Sequence, residues 1–398
     1  MEIPTSIFKG RIKQVQKQAQ EEKLSALVIY SSGSGLGFAS QTHGYMRYLC
    51  DWDARNQAAV LILLPEQDPI LLVPGRSPQL FALETMWFDN IHAVPQTEFG
   101  KKIVSVLDPI LKAGEKIGYI GKSETPVALY DALRNDLQRI TLTDANHIID
   151  QLRTVKDSYA IAFHRRSAQM CDALFETFGK KVRSGKRVYQ IQADLEHKAK
   201  HEGCEYASTF MSIGKVPDRP RYAKKECSHI PKEGDQVLLA LFVLMDGHWG
   251  HAIRTGTIGE PSRAQQELFE ITRKMQDAAL ERVVPGNLLD EAWKASEKVL
   301  AQNYPDARKK DWYWLKTGHS LGLDYSDPIL SSVFPAPSAM GKGGQKDSQI
   351  KIIPGMLLEL HPNIFLPDKA TAAVGDMVLA TKTGHEILTL FPRELMVL

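Results

Sequence analysis

The chain has 398 residues, of which 43% are hydrophobic and 24% charged, and its formal net charge is +2. Those proportions exclude a disordered or fibrous chain, and so small a charge gives no basis for a nucleic-acid or membrane partner. The length exceeds one ordinary core and predicts two domains.

Residues 7–22 read as a charged amphipathic helix, without the apolar run of a secretion signal. Residues 26–30 (ALVIY) read as a buried strand, and 58–64 and 69–73 as two more, joined by the turn PEQD. A further strand at 116–120 stands between helices at 79–86 and 126–137. Residues 1–150 are therefore expected to form a smaller α/β domain. Helices follow at 157–179 and 187–202, and then the pattern changes. Strand-like runs at 207–213, 236–245, 352–361, 377–381 and 386–390 bracket helices at 263–284 and 288–303. Strands interrupted by blocks of helix predict an α+β domain over 151–398, with a curved antiparallel sheet covered on one side.

Residues 335–347 (PAPSAMGKGGQKD) are rich in Pro, Gly and Lys and read as a mobile loop. Four widely spaced cysteines, Cys50, Cys171, Cys204 and Cys227, form no C-x-x-C pair and fit reduced thiols in a cytoplasmic protein. The longest apolar stretch, residues 237–245, is far too short to span a bilayer.

The chemistry concentrates in the second half. His251 lies in DGHWGHAIRT, His319 in KTGHSLGLD and His361 in PGMLLELHP. The string GDQVLLALFVLMDGHWGHAIRTGTIG, followed in order by TGHSLGLD, PGMLLELHP and VGDMVLATKTGHEILT, resembles the signature of the pita-bread family. That family includes methionine aminopeptidase, prolidase, aminopeptidase P and creatinase. Gly234, Asp235, Val237, Gly247, Arg254, Thr255 and Gly259 match its first motif. The resemblance implies a C-terminal pita-bread domain, a creatinase-type N-terminal domain and a homodimer.

Carried over position by position, the family's five metal ligands fall on Ala240, His251, His319, His361 and Gly375. Only His319 is of the usual type. Two adjacent divalent ions need bridging carboxylates to hold them together, so the family's dinuclear site is not expected here. Residues two apart in a strand share a face, which puts Glu359 beside His361. His251, His319, His361 and Glu359 together suit one Zn, Fe, Mn or Ni ion. The alternative of histidines working without metal, as creatinase does, stays open at this point.

The stretch MSIGKVPDRPRY places Arg221 where the family carries a catalytic His, and with Arg219 it would clamp a substrate carboxylate bidentately. In creatinase and its relatives the N-terminal domain helps close the partner's pocket, and Trp52 and Arg55 are the positions this implies. The first functional reading is a creatinase-like non-peptidase hydrolase or lyase, acting on a C–N or similar bond of a small, polar, carboxylate-bearing substrate. An Xaa-Pro peptidase with a rearranged metal site is the second, and a non-catalytic pita-bread binding module the third. Fold alone does not choose between them; replacement of ligands by histidine rather than by inert residues favours an enzyme.

Overall fold

The computed structural model describes residues 2–53, 55–183, 185–216, 227–307, 309–310, 318–326, 350–367 and 369–398. Arg219, Arg221 and the loop expected at 335–347 lie outside the described residues. The chain divides into two compact units, one of Met1–Arg153 with Leu323–Asp327, the other of Thr154–Gly322 with Pro328–Leu398.

The first unit is built on β1 (Leu24–Ser31), β2 (Ala59–Leu63), β3 (Ile70–Val73), β4 (Ile91–Ala93), β5 (Lys116–Ile120) and β6 (Thr141–Asp144). They form one mixed sheet in the order β4-β3-β2-β1-β5-β6. Alternation in β1 sends Leu27 and Ile29 to one face, and Val28 and Tyr30 to the other. The first face is covered by α1 (Thr5–Glu21), α2 (His43–Cys50), α3 (Arg76–Thr85) and α6 (Asn146–Thr154), the second by α4 (Phe99–Leu107) and α5 (Val127–Asp136). Because both faces are covered, the strands read as continuous apolar runs rather than alternating ones. Each fully buried aliphatic side chain contributes about 1.5–3 kcal/mol.

Asp324, from the second half of the sequence, belongs to this first unit. Its carboxylate meets Arg153 Nη2 at 2.7 Å and His43 Nδ1 at 3.1 Å, and accepts the Gly44 N–H at 3.0 Å. Burial alone would raise the carboxyl, but Arg153 and His43 outweigh it and hold Asp324 well below the usual carboxylate range. Gly44 must lack a side chain, since a Cβ there would stand 2.5 Å from Asp324 Oδ2.

In the second unit, α7 (Ser158–Lys181) and α8 (Val188–His201) pack on a sheet of β7 (Tyr206–Gly214), β8 (Gln236–Met245) and β9 (His248–Thr257), with the short C-terminal strand β16 (Met396–Val397) beside β9. A second sheet follows the order β10-β11-β14-β15, from β10 (Gly318–Ser320), β11 (Leu357–Leu360), β14 (Asp376–Ala380) and β15 (His385–Ile387). A separate hairpin pairs β12 (Asn363–Leu366) with β13 (Ala370–Ala373), and α9 (Arg263–Leu280) and α10 (Leu289–Asn303) complete the cores around them. The architecture is α+β, as the sequence predicts. The strand β9 is a correction: its Gly, His, Arg and Thr conceal a ten-residue strand whose every residue is buried.

Two local devices set the geometry of this unit. Asp246 (φ 48°) and Gly247 (φ 74°) both take left-handed backbone between the paired residues Met245 and His248. A two-residue turn of this kind matches strand twist and locks register, so Phe242 stands opposite His251 and Ala240 opposite Ile253. A slip of one residue would turn His251 to the helix-covered face. The second device is Arg254, which is 0% exposed. It donates to the carbonyls of Ile253, Gly375, Phe391 and Pro392 at 2.7–2.9 Å and to Asp376 Oδ1 at 2.7 Å. Gln276 Nε2 and Thr389 Oγ1 also donate to Asp376, at 2.9 and 2.7 Å.

Replacing Arg254 by alanine would strip the Asp376 carboxylate, also 0% exposed, of its closer guanidinium and leave it Arg393 at 3.3 Å. The expected loss is about 3–5 kcal/mol, read as a lowered midpoint in urea unfolding. Arg254→Lys restores the charge but not the fork, and should recover only a fraction. An unchanged midpoint for Arg254→Ala would contradict this account.

Candidate metal centre

His251 projects from the face of β9 opposite α7, and its ring stacks on Phe242 at 4.4 Å between centroids. Its Nδ1 lies 2.7 Å from the Leu241 carbonyl. A carbonyl only accepts, so Nδ1 carries the proton and Nε2 presents a lone pair. That Nε2 lies 3.7 Å from Glu359 Oε1. His319 repeats the arrangement: its Nδ1 donates to the Ser320 carbonyl at 2.7 Å, and its Nε2 lies 3.7 Å from Glu359 Oε2. Strand pairing places His319 directly opposite Glu359. One further link steadies the pair, since the Trp249 N–H on β9 donates to the Gly322 carbonyl just after His319 at 2.9 Å.

His251, His319 and Glu359 are all buried, and one ligand atom from each lies within 4.8 Å of the others. Two imidazoles and a carboxylate are a known donor set for a single catalytic transition-metal ion. Carbonyl partners on the far ring nitrogens are the support such ligands use. Burial pushes His251 down to about 4, partly opposed by its bond to the Leu241 carbonyl. The imidazole is therefore neutral at physiological pH, as ligation requires.

His361 is different. The Asn363 side-chain nitrogen donates to the His361 carbonyl at 2.7 Å and stands 3.0 Å from His361 Nδ1. An amide nitrogen can only donate, so Nδ1 accepts and Nε2 keeps the proton. That Nε2 lies 3.1 Å from Glu359 Oε2. The expected set of three imidazoles and one carboxylate is thus brought together but divided in role. His251 and His319 present lone pairs to the centre, whereas His361 carries a proton on the nitrogen that faces it. Asn363 went unread in the sequence; the H-x-N spacing across a strand start was the available signal.

Ala240 shares the face of His251, and Gly375 is bridged through its backbone to Ile253 on the same strand as His251. Neither offers a donor side chain. A Cβ at position 375 would overlap Glu359 Oε1 and stand 3.0 Å from His361 Cβ. His248 is buried outside the cluster, stacked on Phe163 at 4.9 Å. Trp52 and Arg55 belong to the first unit. Trp52 is 3% exposed in its core, with its ring 5.7 Å from that of Phe81. Arg55 is exposed, and its backbone N–H donates to Asp53 Oδ1 at 2.9 Å. Among the described residues, no helix is long and apolar enough to cross a membrane.

Residues 162–382 match Metallopeptidase family M24, and residues 11–155 match the Creatinase/Prolidase N-terminal domain. An Xaa-Pro dipeptidase of Pyrococcus horikoshii is 24% identical over 331 residues, covering 82% of this chain and 87% of that protein. An Xaa-Pro dipeptidase of Lactobacillus helveticus is 24% identical over 355 residues, covering 87% and 90%. Among solved structures, a recombinant prolidase from Thermococcus sibiricus superposes with a TM-score of 0.82 at 20% identity, over 100% of both chains. The prolidase from Pyrococcus horikoshii gives 0.78 at 19% identity, over 97% of this chain and 100% of that one. The chain belongs to metallopeptidase family M24, the pita-bread family, and carries the creatinase/prolidase N-terminal domain ahead of it.

Proposed function

We propose that this protein is a one-metal hydrolase of the C–N bond in a small, carboxylate-bearing substrate, with Xaa-Pro dipeptides as the substrate class. The observation that carries the reaction type is the buried His251–His319–Glu359 set with its two carbonyl-anchored imidazoles. The substrate class rests on the relatives named Xaa-Pro dipeptidase, which match over more than four-fifths of the chain. These relatives favour the peptidase reading over the creatinase-like one that the replaced ligands suggest in the sequence.

His251, His319 and Glu359 would hold the ion. When bound, it would polarise a carbonyl oxygen and acidify a water. One ion rather than two is supported by Ala240 and Gly375, which bring no carboxylate where the resemblance expects ligands. Two cations at dinuclear separation would repel without them. His361 carries its proton at Nε2 and is the group proposed to hydrogen-bond the departing amine nitrogen, which takes its new proton from the attacking water; such a preorganised donor contributes about 10²–10³-fold in rate. The Glu359 carboxylate lies 3.1 Å from His361 Nε2. Arg219 and Arg221 are the residues proposed to hold the substrate carboxylate. Hydrolysis or elimination at a non-peptide C–N bond is the second reading, favoured by a protonated imidazole nitrogen at the position of a family carboxylate.

Loading the purified protein with Mn, Fe, Ni or Zn and then desalting should leave one ion per chain by elemental analysis, with proline released from Xaa-Pro dipeptides. His251→Ala and His319→Ala should lose the ion. His361→Gln should keep it and lower kcat by about 10²-fold or more. Two ions per chain, or full occupancy in His251→Ala, would refute the one-metal site. A loaded enzyme that cleaves no Xaa-Pro dipeptide would transfer the assignment to the second reading.

A pH prediction follows from His251. In metal-free protein its folded pKa of about 4 lies below the ordinary 6.5. Between those values the unfolded chain binds a proton that the folded chain does not. Its stabilisation is therefore complete above pH 6.5 and is lost as pH falls toward 4, an effect of about 3 kcal/mol. Urea midpoints of chelated wild type and His251→Gln, compared from pH 7.5 to 4.5, should converge as the pH falls. Parallel curves would mean that His251 is not held neutral.

A further inference from the structure

We infer that the Glu359 carboxylate occupies the place a side chain at position 375 would take, and that Gly375 is glycine to admit it. The inference rests on the one-metal reading only in assigning that carboxylate a ligand role. Three observations carry it. A Cβ built on Gly375 overlaps Glu359 Oε1 and crowds the Cβ atoms of His361 and Ile253 at 3.0 and 3.1 Å. Gly375 is not among the glycines with left-handed backbone, so its φ does not demand the residue, as it does at Gly247. The backbone cannot retreat either. Its N–H donates to the Ile253 carbonyl at 2.9 Å, and its carbonyl accepts from the Ile253 N–H at 3.1 Å and from Arg254 Nη1 at 2.7 Å.

Glu359 is equally confined. It is 0% exposed and paired on both sides, to His319 and to Met377. The severest overlap of a methyl at 375, that with Glu359 Oε1, can therefore be relieved only by swinging the carboxylate away. That movement breaks its approach to His251 Nε2 and His319 Nε2, each 3.7 Å away. The centre thus receives its carboxylate from β11 through an opening left on the segment entering β14. The same volume would be reached by a carboxylate carried at 375 if Glu359 were shortened.

The test is a reciprocal exchange in the full-length protein, with two readouts. Metal affinity, titrated with Zn²⁺ or Mn²⁺ alone, should fall at least tenfold in Gly375→Ala and in Glu359→Ala. It should return to within about tenfold of wild type in Glu359→Ala/Gly375→Glu, since one well-placed carboxylate replaces another. Metal-free thermal unfolding forms a double-mutant cycle: Gly375→Ala should lower Tm in wild type and lower it less in the Glu359→Ala background, where only the crowding by the His361 and Ile253 Cβ atoms remains. Wild-type metal affinity in Gly375→Ala, or additive Tm changes, would overturn the inference. Failure of the exchanged variant to regain metal would overturn the shared position. If wild type binds no metal, the one-metal function fails by itself, and the thermal cycle still decides whether residues 359 and 375 compete for one volume.

Discussion

The guanidinium of Arg254 is the interaction on which the second unit depends. Its donors close on four carbonyls and one carboxylate, so the group is satisfied despite complete burial. The partners come from β9, from the segment entering β14 and from the chain's C-terminal region. One side chain therefore fixes the strand of His251 against the strand that neighbours Glu359. Thr255 reinforces the junction, because its hydroxyl donates to the Ala373 carbonyl at 2.7 Å and accepts the Ala373 N–H at 2.8 Å. A buried ion pair contributes little net stability compared with apolar packing. Its value here is that one alignment of two sheets satisfies every donor.

That alignment also holds the residues of the proposed centre in place. A metal site needs its donor atoms within a few ångströms and held there before the ion arrives. In this chain the holding is done by backbone: the Leu241 and Ser320 carbonyls orient two imidazoles, and cross-strand pairing sets Glu359 opposite His319. Side chains at individual positions are then free to change. In the proposed centre the carboxylate comes from Glu359, and glycine stands at 375. The constraint that persists is the shape of the framework, which is why relatives at about 20% identity share the fold over the whole chain.

Much of the fold was legible from elementary patterns. Continuous apolar runs such as residues 26–30 and 236–245 read as buried strands because both faces are covered. Strand β9 was not legible, since His251, Arg254 and Thr255 are buried through partners contributed by distant segments, which no local pattern records. The short helix α2 was hidden for the same reason: His43 is buried beside Asp324, a residue far away in the sequence.

The sequence by itself determined the family, the α+β class and the residues from which a site could be made. His251, His319 and His361 were identifiable because they fall where the resemblance places the family's metal ligands, and Glu359 because residues two apart in a strand share a face. Only the tertiary structure decided how each ring is presented. Which ring nitrogen bears the proton depends on the acceptor or donor facing the other nitrogen, and those partners are Leu241, Ser320 and Asn363. It also decided why position 375 is glycine. The reason is a volume already filled by a side chain from another strand, and sequence spacing contains no term for that.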